Sequence, residues 1–234
     1  FSNKRWLTLD EIKSEEEIPD KDALGFHVPG MFNKVIDINN CYLQKEPSNA
    51  IRLSVKQFAD ENNLTYFDIR NQEGLLRNLM IKTSSTNDLM VLVQFYEDDE
   101  KNINLLMEHI KTTFPEITSL LYIINQKANN TMYDQEVICY NGKDHIMEEM
   151  DGLLFKIGAK SFFQTNSEQA EVLYQKTKEL AQITENDLVY DLYTGTGTIA
   201  QFIAKQAKHV VGIDSVKEGI KAAYENAENN NINN

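Results

Sequence analysis

The segment that most constrains the fold is DLYTGTGTIA at residues 191–200, which VVGID at 210–214 follows closely. Glycines at 195 and 197 allow the backbone to turn tightly after a strand and to approach a ligand without a Cβ in the way. Asp214 comes 19 residues after Gly195, where a carboxylate at the tip of the next strand can accept hydrogen bonds from two ribose hydroxyls. The pattern predicts a strand, a glycine turn, a helix and a second, parallel strand.

The last third of the chain alternates helices and strands around this motif. Apolar periodicity predicts helices at 167–183, 198–205 and 216–229, and strands at 188–192 and 210–214. This alternation is typical of a Rossmann-like, doubly wound parallel sheet. Two strands do not complete such a sheet, and folds normally cover an exposed edge. We therefore interpret residues 158–234 as the first half of a truncated α/β domain.

Residues 1–157 have the pattern of a mixed α+β domain with a largely antiparallel sheet. Ser48, after Pro47, is a candidate N-cap for an amphipathic helix, and a second helix is predicted at 102–114. Cys139 lies in an apolar strand and is predicted to be a buried hydrophobic residue. Strands are predicted at 25–28, 34–38, 119–125 and 136–140, and a hairpin at 75–83 and 89–96.

The glycine turn alone does not decide between a dinucleotide and S-adenosylmethionine as the bound ligand. A GxGxx[GA] pattern also fits a dinucleotide-dependent oxidoreductase, and the turn could be purely structural. Asp191, however, stands four residues before Gly195, where its charge repels a pyrophosphate but tolerates a cation such as the methionyl part of S-adenosylmethionine. A helix also precedes the first strand. These features favour S-adenosylmethionine, with the N–H groups of the helix that starts at Thr198 facing the ligand.

A second motif, KSFFQTN at 160–166, precedes the leading helix. Its two aromatic residues, Phe162 and Phe163, are predicted to be core residues rather than platforms for base stacking. Gln164 fits a surface amide as well as a binding residue. Asn166 is a candidate helix cap, because acidic residues follow it in the first turn.

Charge and cysteine content limit the classes of protein. The formal net charge is −13. The chain has two cysteines, and this low number argues for a reducing, cytoplasmic setting without a disulfide framework. No run approaches the roughly 20 apolar residues that span a bilayer, so no membrane association is predicted. Two acidic segments, 15–22 and 97–100, are predicted to be solvated loops.

Taken together, SFFQTN, DLYTGTGTIA and VVGID resemble the RumA/TrmA family of RNA (uracil-5-)-methyltransferases. The resemblance continues upstream through LGFHVPG, VIDINNC and NQEGLLRNL, and LGFH…VIDINNC resembles the 23S ribosomal RNA branch more than the tRNA branch. It implies a class I methyltransferase domain that binds S-adenosylmethionine. By position in the family motifs, Gln164, Tyr193 and Asp214 would contact the cofactor with Thr198 beside them, in addition to Asp191, Gly195 and Gly197.

The resemblance also implies a covalent mechanism, in which a cysteine attacks C6 of a flipped-out uracil before the methyl group reaches C5. The motifs that carry this cysteine and its base are not in the chain, so no catalytic residue is assigned and the chain alone is predicted to be inactive. Cys41 matches one of four cysteines that hold a 4Fe–4S cluster in the ribosomal branch. One cysteine cannot hold a cluster, so a free thiol and no metal site are predicted here.

The partner implied by the resemblance is 23S ribosomal RNA. Since phosphate neutralisation dominates RNA affinity, the charge of −13 predicts that the basic surface lies outside this chain. Three alternatives stay open: a tRNA uracil-5-methyltransferase, an NAD-type oxidoreductase and a non-catalytic RNA-binding module. The sequence makes no prediction of the oligomeric state.

Overall fold

A computed structural model describes residues 1–14 and 21–234, which form two compact units. The first unit comprises Phe1–Lys82 with Leu89–Lys143, and the second comprises Thr83–Asp88 with Asp144–Asn234. The predicted combination of an α+β part and a Rossmann-like part is confirmed. The units divide near residue 143, whereas the motifs divide the chain at 157/158; that division into domains stays a prediction.

The first unit contains a hairpin and a four-stranded sheet. Strands β1 and β2 are antiparallel, and the larger sheet has the strand order β3-β4-β5-β6. The predicted neighbours β3 and β4 are adjacent. The elements are α1 (Leu9–Lys13), β1 (Gly25–Val28), β2 (Met31–Asp37), α2 (Ser48–Glu61), β3 (Leu76–Thr83), β4 (Leu89–Phe95), α3 (Glu100–Thr113), β5 (Ser119–Ile124) and β6 (Ile138–Gly142).

The larger sheet is mixed, so the prediction of a largely antiparallel sheet was wrong at its centre. Strands β4 and β5 are parallel, whereas β5 and β6 are antiparallel. The physical reason is α3, which connects β4 to β5. A helical crossover returns the chain to the starting end of the sheet, so the next strand runs in the same direction.

The core of this unit lies between the sheet and helices α2 and α3. All seven residues of β4 are buried, and α3 buries Ile103, Leu106, Met107 and Ile110 on one face. This is the helical stripe that the sequence predicts. Asp99 caps α3 by accepting a hydrogen bond from the backbone N–H of Asn102 (3.1 Å).

The predicted N-cap of α2 was wrong. Ser48 is the first helical residue and is buried, while Pro47 occupies the cap position without a side-chain hydrogen bond. The carboxylate of Glu46 lies at this end instead and accepts a hydrogen bond from the backbone N–H of Ala50 (3.4 Å). A longer acidic side chain two residues upstream therefore takes the role expected of the serine.

The prediction for Cys139 was also wrong, because its side chain is exposed. Strand β6 is the edge strand of the sheet, and its neighbour Tyr140 packs against the core cluster. Successive side chains of a strand point to opposite faces. Cys139 therefore faces away from the core, which an apolar sequence context alone does not reveal.

The second unit contains the glycine motif. Strands β9 and β10 are parallel and pair from His209 opposite Leu188 to Ile213 opposite Leu192, which confirms the predicted order. Strands β7 and β8, which the sequence analysis did not predict, form an antiparallel hairpin. The elements are β7 (His145–Met150), β8 (Leu153–Gly158), α4 (Ser167–Ala181), β9 (Leu188–Leu192), α5 (Thr198–Ala204), β10 (His209–Ile213) and α6 (Lys217–Asn229).

The aromatic residues of the second motif differ in burial. Phe162 is 73% exposed, so its prediction as a core residue was wrong. Phe163 is partly buried, with its ring centroid 6.1 Å from that of Phe155. Asn166 caps α4 as predicted, since its side chain accepts a hydrogen bond from the backbone N–H of Gln169 (3.0 Å).

Two further predictions concern charged segments and membranes. Residues 96–99 link β4 to α3, and Glu97 and Asp98 are exposed as predicted. The predicted loop was wrong for Glu100, which is the first residue of α3. Residues 15–20 of the other acidic segment lie outside the described residues. Within the described ranges, no helix is long and apolar enough to cross a bilayer. The same ranges hold no cluster of three or more His, Cys, Asp or Glu residues suited to a metal ion.

Candidate functional site

The glycine turn between β9 and α5 has an unusual backbone. Tyr193, Gly195 and Gly197 have φ angles of 62°, 56° and 78°, in the left-handed region that L-residues rarely adopt. The backbone N–H of Gly197 donates to the carbonyl oxygen of Thr194 (2.8 Å), which closes the turn. Both predicted glycines are therefore required by conformation, and the strained Tyr193 marks a candidate functional position.

Asp214 holds the turn from the next strand. One carboxylate oxygen accepts a hydrogen bond from the backbone N–H of Gly195 (2.9 Å), and the other accepts one from the N–H of Val216 (2.8 Å). These two bonds, first that of Val216 and then that of Gly195, hold the pKa of the Asp214 carboxyl below its ordinary value. Asp214 is therefore ionised at neutral pH and lies directly beside the turn, as its spacing predicts.

Asp191 also bonds the turn, from near the end of β9. Its Oδ2 accepts hydrogen bonds from the hydroxyl of Thr194 (2.7 Å) and from the backbone N–H of Ala200 (3.1 Å). Because Ala200 is the third residue of α5, Asp191 satisfies one of the free N–H groups of that helix. The expectation that these groups face a ligand was therefore wrong for this N–H.

Thr194 joins the two strands, a role that the sequence analysis missed. Its backbone N–H donates to the carbonyl oxygen of Ile213 (3.1 Å), and its side chain lies over Gly212. A Cβ at Gly212 would lie 2.9 Å from the Thr194 Oγ1. Gly212 is thus required by close packing against the turn. The position of this glycine two residues before Asp214 is the sequence signal that could have revealed the contact.

Gln164 reaches the same region through Tyr174 of α4. Burial raises the pKa of the Tyr174 hydroxyl, the Asp191 carboxylate raises it further, and a hydrogen bond with the Gln164 side chain lowers it. Tyr174 is 7% exposed and packs edge-on against Phe202 of α5. Gln164 and Asp191 therefore both lie near enough to one buried tyrosine to affect its pKa.

Comparison with known proteins shows what the chain is similar to. The sequence model of the tRNA (Uracil-5-)-methyltransferase family matches residues 137–234. An uncharacterized RNA methyltransferase of Bacteroides thetaiotaomicron is 53% identical over 237 residues, covering 100% of this chain and 52% of the relative. One from Porphyromonas gingivalis is 52% identical over 241 residues, covering 100% of this chain and 51% of the relative.

Residues 137–234 match the tRNA (Uracil-5-)-methyltransferase family, and the chain as a whole is similar to RNA methyltransferases. It spans about half the length of the curated relatives that it matches.

A solved structure of this family is also similar to the chain. It is the Pyrococcus abyssi tRNA (uracil-54, C5)-methyltransferase in complex with S-adenosyl-L-homocysteine. The match has a TM-score of 0.70 at 28% identity and covers 86% of this chain and 48% of that protein. The fold of this chain therefore agrees with that of a solved tRNA (uracil-54, C5)-methyltransferase.

Two predicted site residues differ in accessibility. The side chain of Tyr193 is 89% exposed, so it is free to contact a ligand. Thr198 is 8% exposed, and its hydroxyl lies 3.1 Å from that of Thr196. Thr198 opens α5 as predicted, but in this arrangement its side chain packs inside the protein.

The space beside the turn is suited to a nucleoside cofactor. A Cβ built on Gly195 would meet no atom within 4 Å, so the turn borders open space there. Gln164, Asp191, Tyr193, Gly195 and Asp214 bring an amide, two carboxylates and an aromatic ring to this region, the donors and acceptors that a ribose, an amino group and an adenine need. The residues present therefore fit S-adenosylmethionine.

Cys41 does not offer a comparable fit for an iron–sulfur cluster. Its thiol is partly buried, and its backbone N–H donates to the Oδ1 of Asn49 (2.8 Å). The chain has one other cysteine, Cys139, which lies on the edge strand β6. A cluster needs four thiolates or equivalent ligands, so none is assigned to this chain.

Proposed function

We propose that this chain binds S-adenosylmethionine at the glycine turn, and that the full-length protein transfers the methyl group to C5 of a uridine in RNA. The observation that carries this proposal is the pair of carboxylates, Asp191 and Asp214, that both bond an open glycine turn in a region that the family model matches.

The proposed roles follow from the chemistry of each group. Asp214 has its carboxylate fixed and ionised beside Gly195, so it is suited to accept hydrogen bonds from the ribose hydroxyls. Asp191 provides negative charge for the cationic methionyl part, while Gln164 supplies a neutral amide. Tyr193 is the exposed aromatic group that would pack on the adenine.

The finer proposal is that the RNA is 23S ribosomal RNA. It is supported by the resemblance of LGFH…VIDINNC to the ribosomal branch. Because the net charge is −13, this chain supplies little of the cation density that phosphates require. The RNA would therefore be held by other parts of the full-length protein, which would also supply the nucleophilic cysteine.

Cofactor binding is tested by calorimetric titration of S-adenosylmethionine and S-adenosylhomocysteine into the chain. The variant Asp214→Ala removes both hydrogen bonds of the carboxylate, so we expect its affinity to fall by at least about tenfold. The control Glu185→Ala changes the net charge equally at an exposed position and should bind like the unaltered chain. Tight NAD binding without affinity for either methionine derivative would contradict the proposal.

Methyl transfer is tested on the full-length protein with labelled S-adenosylmethionine and two RNAs, 23S ribosomal RNA and tRNA. We expect label at C5 of a uridine in the ribosomal RNA, and none from the chain of residues 1–234 alone, since no catalytic residue is assigned in it. Label in tRNA only would refute the ribosomal assignment while leaving the methyltransferase assignment intact. Methyl transfer by the chain alone would show that its residues suffice.

A further inference from the structure

Helix α6 contains a fully buried amide whose partners lie on two different elements. Asn226 is 0% exposed, and its Oδ1 accepts a hydrogen bond from the backbone N–H of Lys156 in β8 (2.7 Å). Its Nδ2 donates to the carbonyl oxygen of Thr196 (3.2 Å), the residue between the two glycines of the turn, and at 3.5 Å to the carbonyl oxygen of Lys156. A buried amide is costly unless it is bonded, so this geometry ties the turn to β8.

A second amide on the same helix face strengthens the connection to β8 but does not reach the turn. Asn230, four residues later, accepts a hydrogen bond from the backbone N–H of Leu154 (2.8 Å) and donates to the carbonyl oxygen of Leu154 (2.8 Å). It also donates to the Oε1 of Gln201 (2.9 Å) in α5. Asn226 and Asn230, four residues apart on one helix face, therefore both bond the backbone of β8. Of these two residues, Asn226 also bonds the turn.

Helix α6 approaches the turn closely at two further points. A Cβ at Gly219 would lie 3.2 Å from the carbonyl oxygen of Gly195, and a Cβ at Gly197 would lie 3.0 Å from the Cβ of Ala223. The helix therefore forms the support on which both glycines rest. The carbonyl of Thr196 belongs to the peptide between Thr196 and Gly197, so its bond to Asn226 fixes the orientation of that peptide.

We propose that Asn226 is a positioning residue, which sets the orientation of the glycine turn for cofactor binding by bonding the Thr196 carbonyl. The inference rests on the proposed cofactor site and adds a residue that lies behind the turn rather than in contact with the cofactor. It predicts that removing the donor group of Asn226 alters the turn, whereas the equivalent change at Asn230 alters the attachment of α6 to β8 and to Gln201.

The variant Asn226→Asp separates the two halves of the amide. Its carboxylate can still accept from Lys156 but cannot donate to Thr196 while ionised. We expect the affinity for S-adenosylhomocysteine to fall by about tenfold near pH 8, and the Gly195 and Gly197 amides to exchange faster with solvent. Because burial raises a carboxyl pKa, the acid form should be reached on mild acidification. The protonated group again donates a hydrogen bond, so affinity should recover towards pH 5.

The matched control is Asn230→Asp, which places the same charge on the same helix face and should leave both turn amides and the cofactor affinity unchanged. The variant Asn226→Ser, which buries no charge and has a side chain too short to replace both bonds of the amide, covers the case in which Asn226→Asp does not fold. Equal affinity and equal amide exchange in the position 226 and position 230 variants would overturn the proposal. If the unaltered chain does not bind S-adenosylhomocysteine, the proposed cofactor site fails, and amide exchange of the turn still decides the role of Asn226.

Discussion

Replacing Arg77 with methionine is expected to lower the free energy of unfolding by about 3–5 kcal/mol, the range for removing one partner from a buried charged network. The guanidinium is 1% exposed. It donates to the carbonyl oxygens of Asn125 (2.6 Å), Lys127 (2.6 Å) and Asn129 (2.7 Å). These three carbonyls belong to the segment after β5, which Arg77 therefore organises.

The size of the effect follows from what the substitution leaves behind. Methionine fills a similar volume but donates no hydrogen bond, so the three carbonyls lose a charged donor, at about 1–3 kcal/mol for each one that stays buried. The guanidinium also lies over the ring of Phe67, with the Cζ 4.6 Å from the ring centroid. Burial lowers the pKa of Arg77, but a guanidinium keeps its charge in proteins.

Urea unfolding measured by circular dichroism checks this prediction. The control is Arg70→Met, because Arg70 is exposed and its guanidinium contacts a single ring, that of Phe32, at 5.9 Å. An exposed cation–π contact contributes up to about 1 kcal/mol, so the control should lose little. Equal losses in the two variants would show that the carbonyl network around Arg77 does not stabilise the unit.

The elements around the glycine motif could be predicted to within one or two residues, because local patterns determine them. Strand β9 has the predicted bounds, and β10 begins and ends one residue before the predicted strand. Here the apolar runs are short and the glycines mark the turn between strand and helix. Strand direction in the first unit was harder to predict, since it depends on which strand the crossover α3 reaches rather than on local sequence.

The hairpin β7–β8 shows a signal that was present and not used. Asp151 and Gly152 connect the two strands with φ angles of 51° and 71°. An Asp-Gly pair with two positive φ angles is the preferred two-residue hairpin turn, and alternating residues flank it. No such signal indicated that Cys139 and Phe162 are exposed, because composition does not reveal which face of a segment meets the core.

The sequence could predict which residues lie at the candidate site but not which hydrogen bonds they form. Sequence spacing places Asp191 and Asp214 near the glycines, and both are there. It does not reveal that Asp191 already accepts two hydrogen bonds from the protein, nor that Thr194 supplies one of them. Those bonds depend on a left-handed turn in three dimensions, and the contact between Asn226 and Thr196 spans 30 residues of chain.

The two glycines of the turn are expected to respond differently to substitution by alanine. Both have a positive φ, so each alanine should cost about 1–2 kcal/mol of backbone strain. At Gly197 the new Cβ also lies 3.0 Å from both the Ala223 Cβ and the Gln201 Nε2, and such overpacking adds about 1–3 kcal/mol. Gly197→Ala should therefore lower the free energy of unfolding by about 2–5 kcal/mol.

Gly195→Ala should have the opposite balance of effects. Its Cβ meets no protein atom within 4 Å, so stability falls only by the strain, while the methyl group enters the open space proposed for the cofactor. We expect its affinity for S-adenosylhomocysteine to fall by more than about tenfold, a cost of at least about 1.4 kcal/mol. Chemical unfolding and calorimetric titration of both variants measure the two effects separately. If Gly195→Ala binds the cofactor normally, the open side of the turn is not the binding face, because a methyl group there would otherwise occupy the ligand's position.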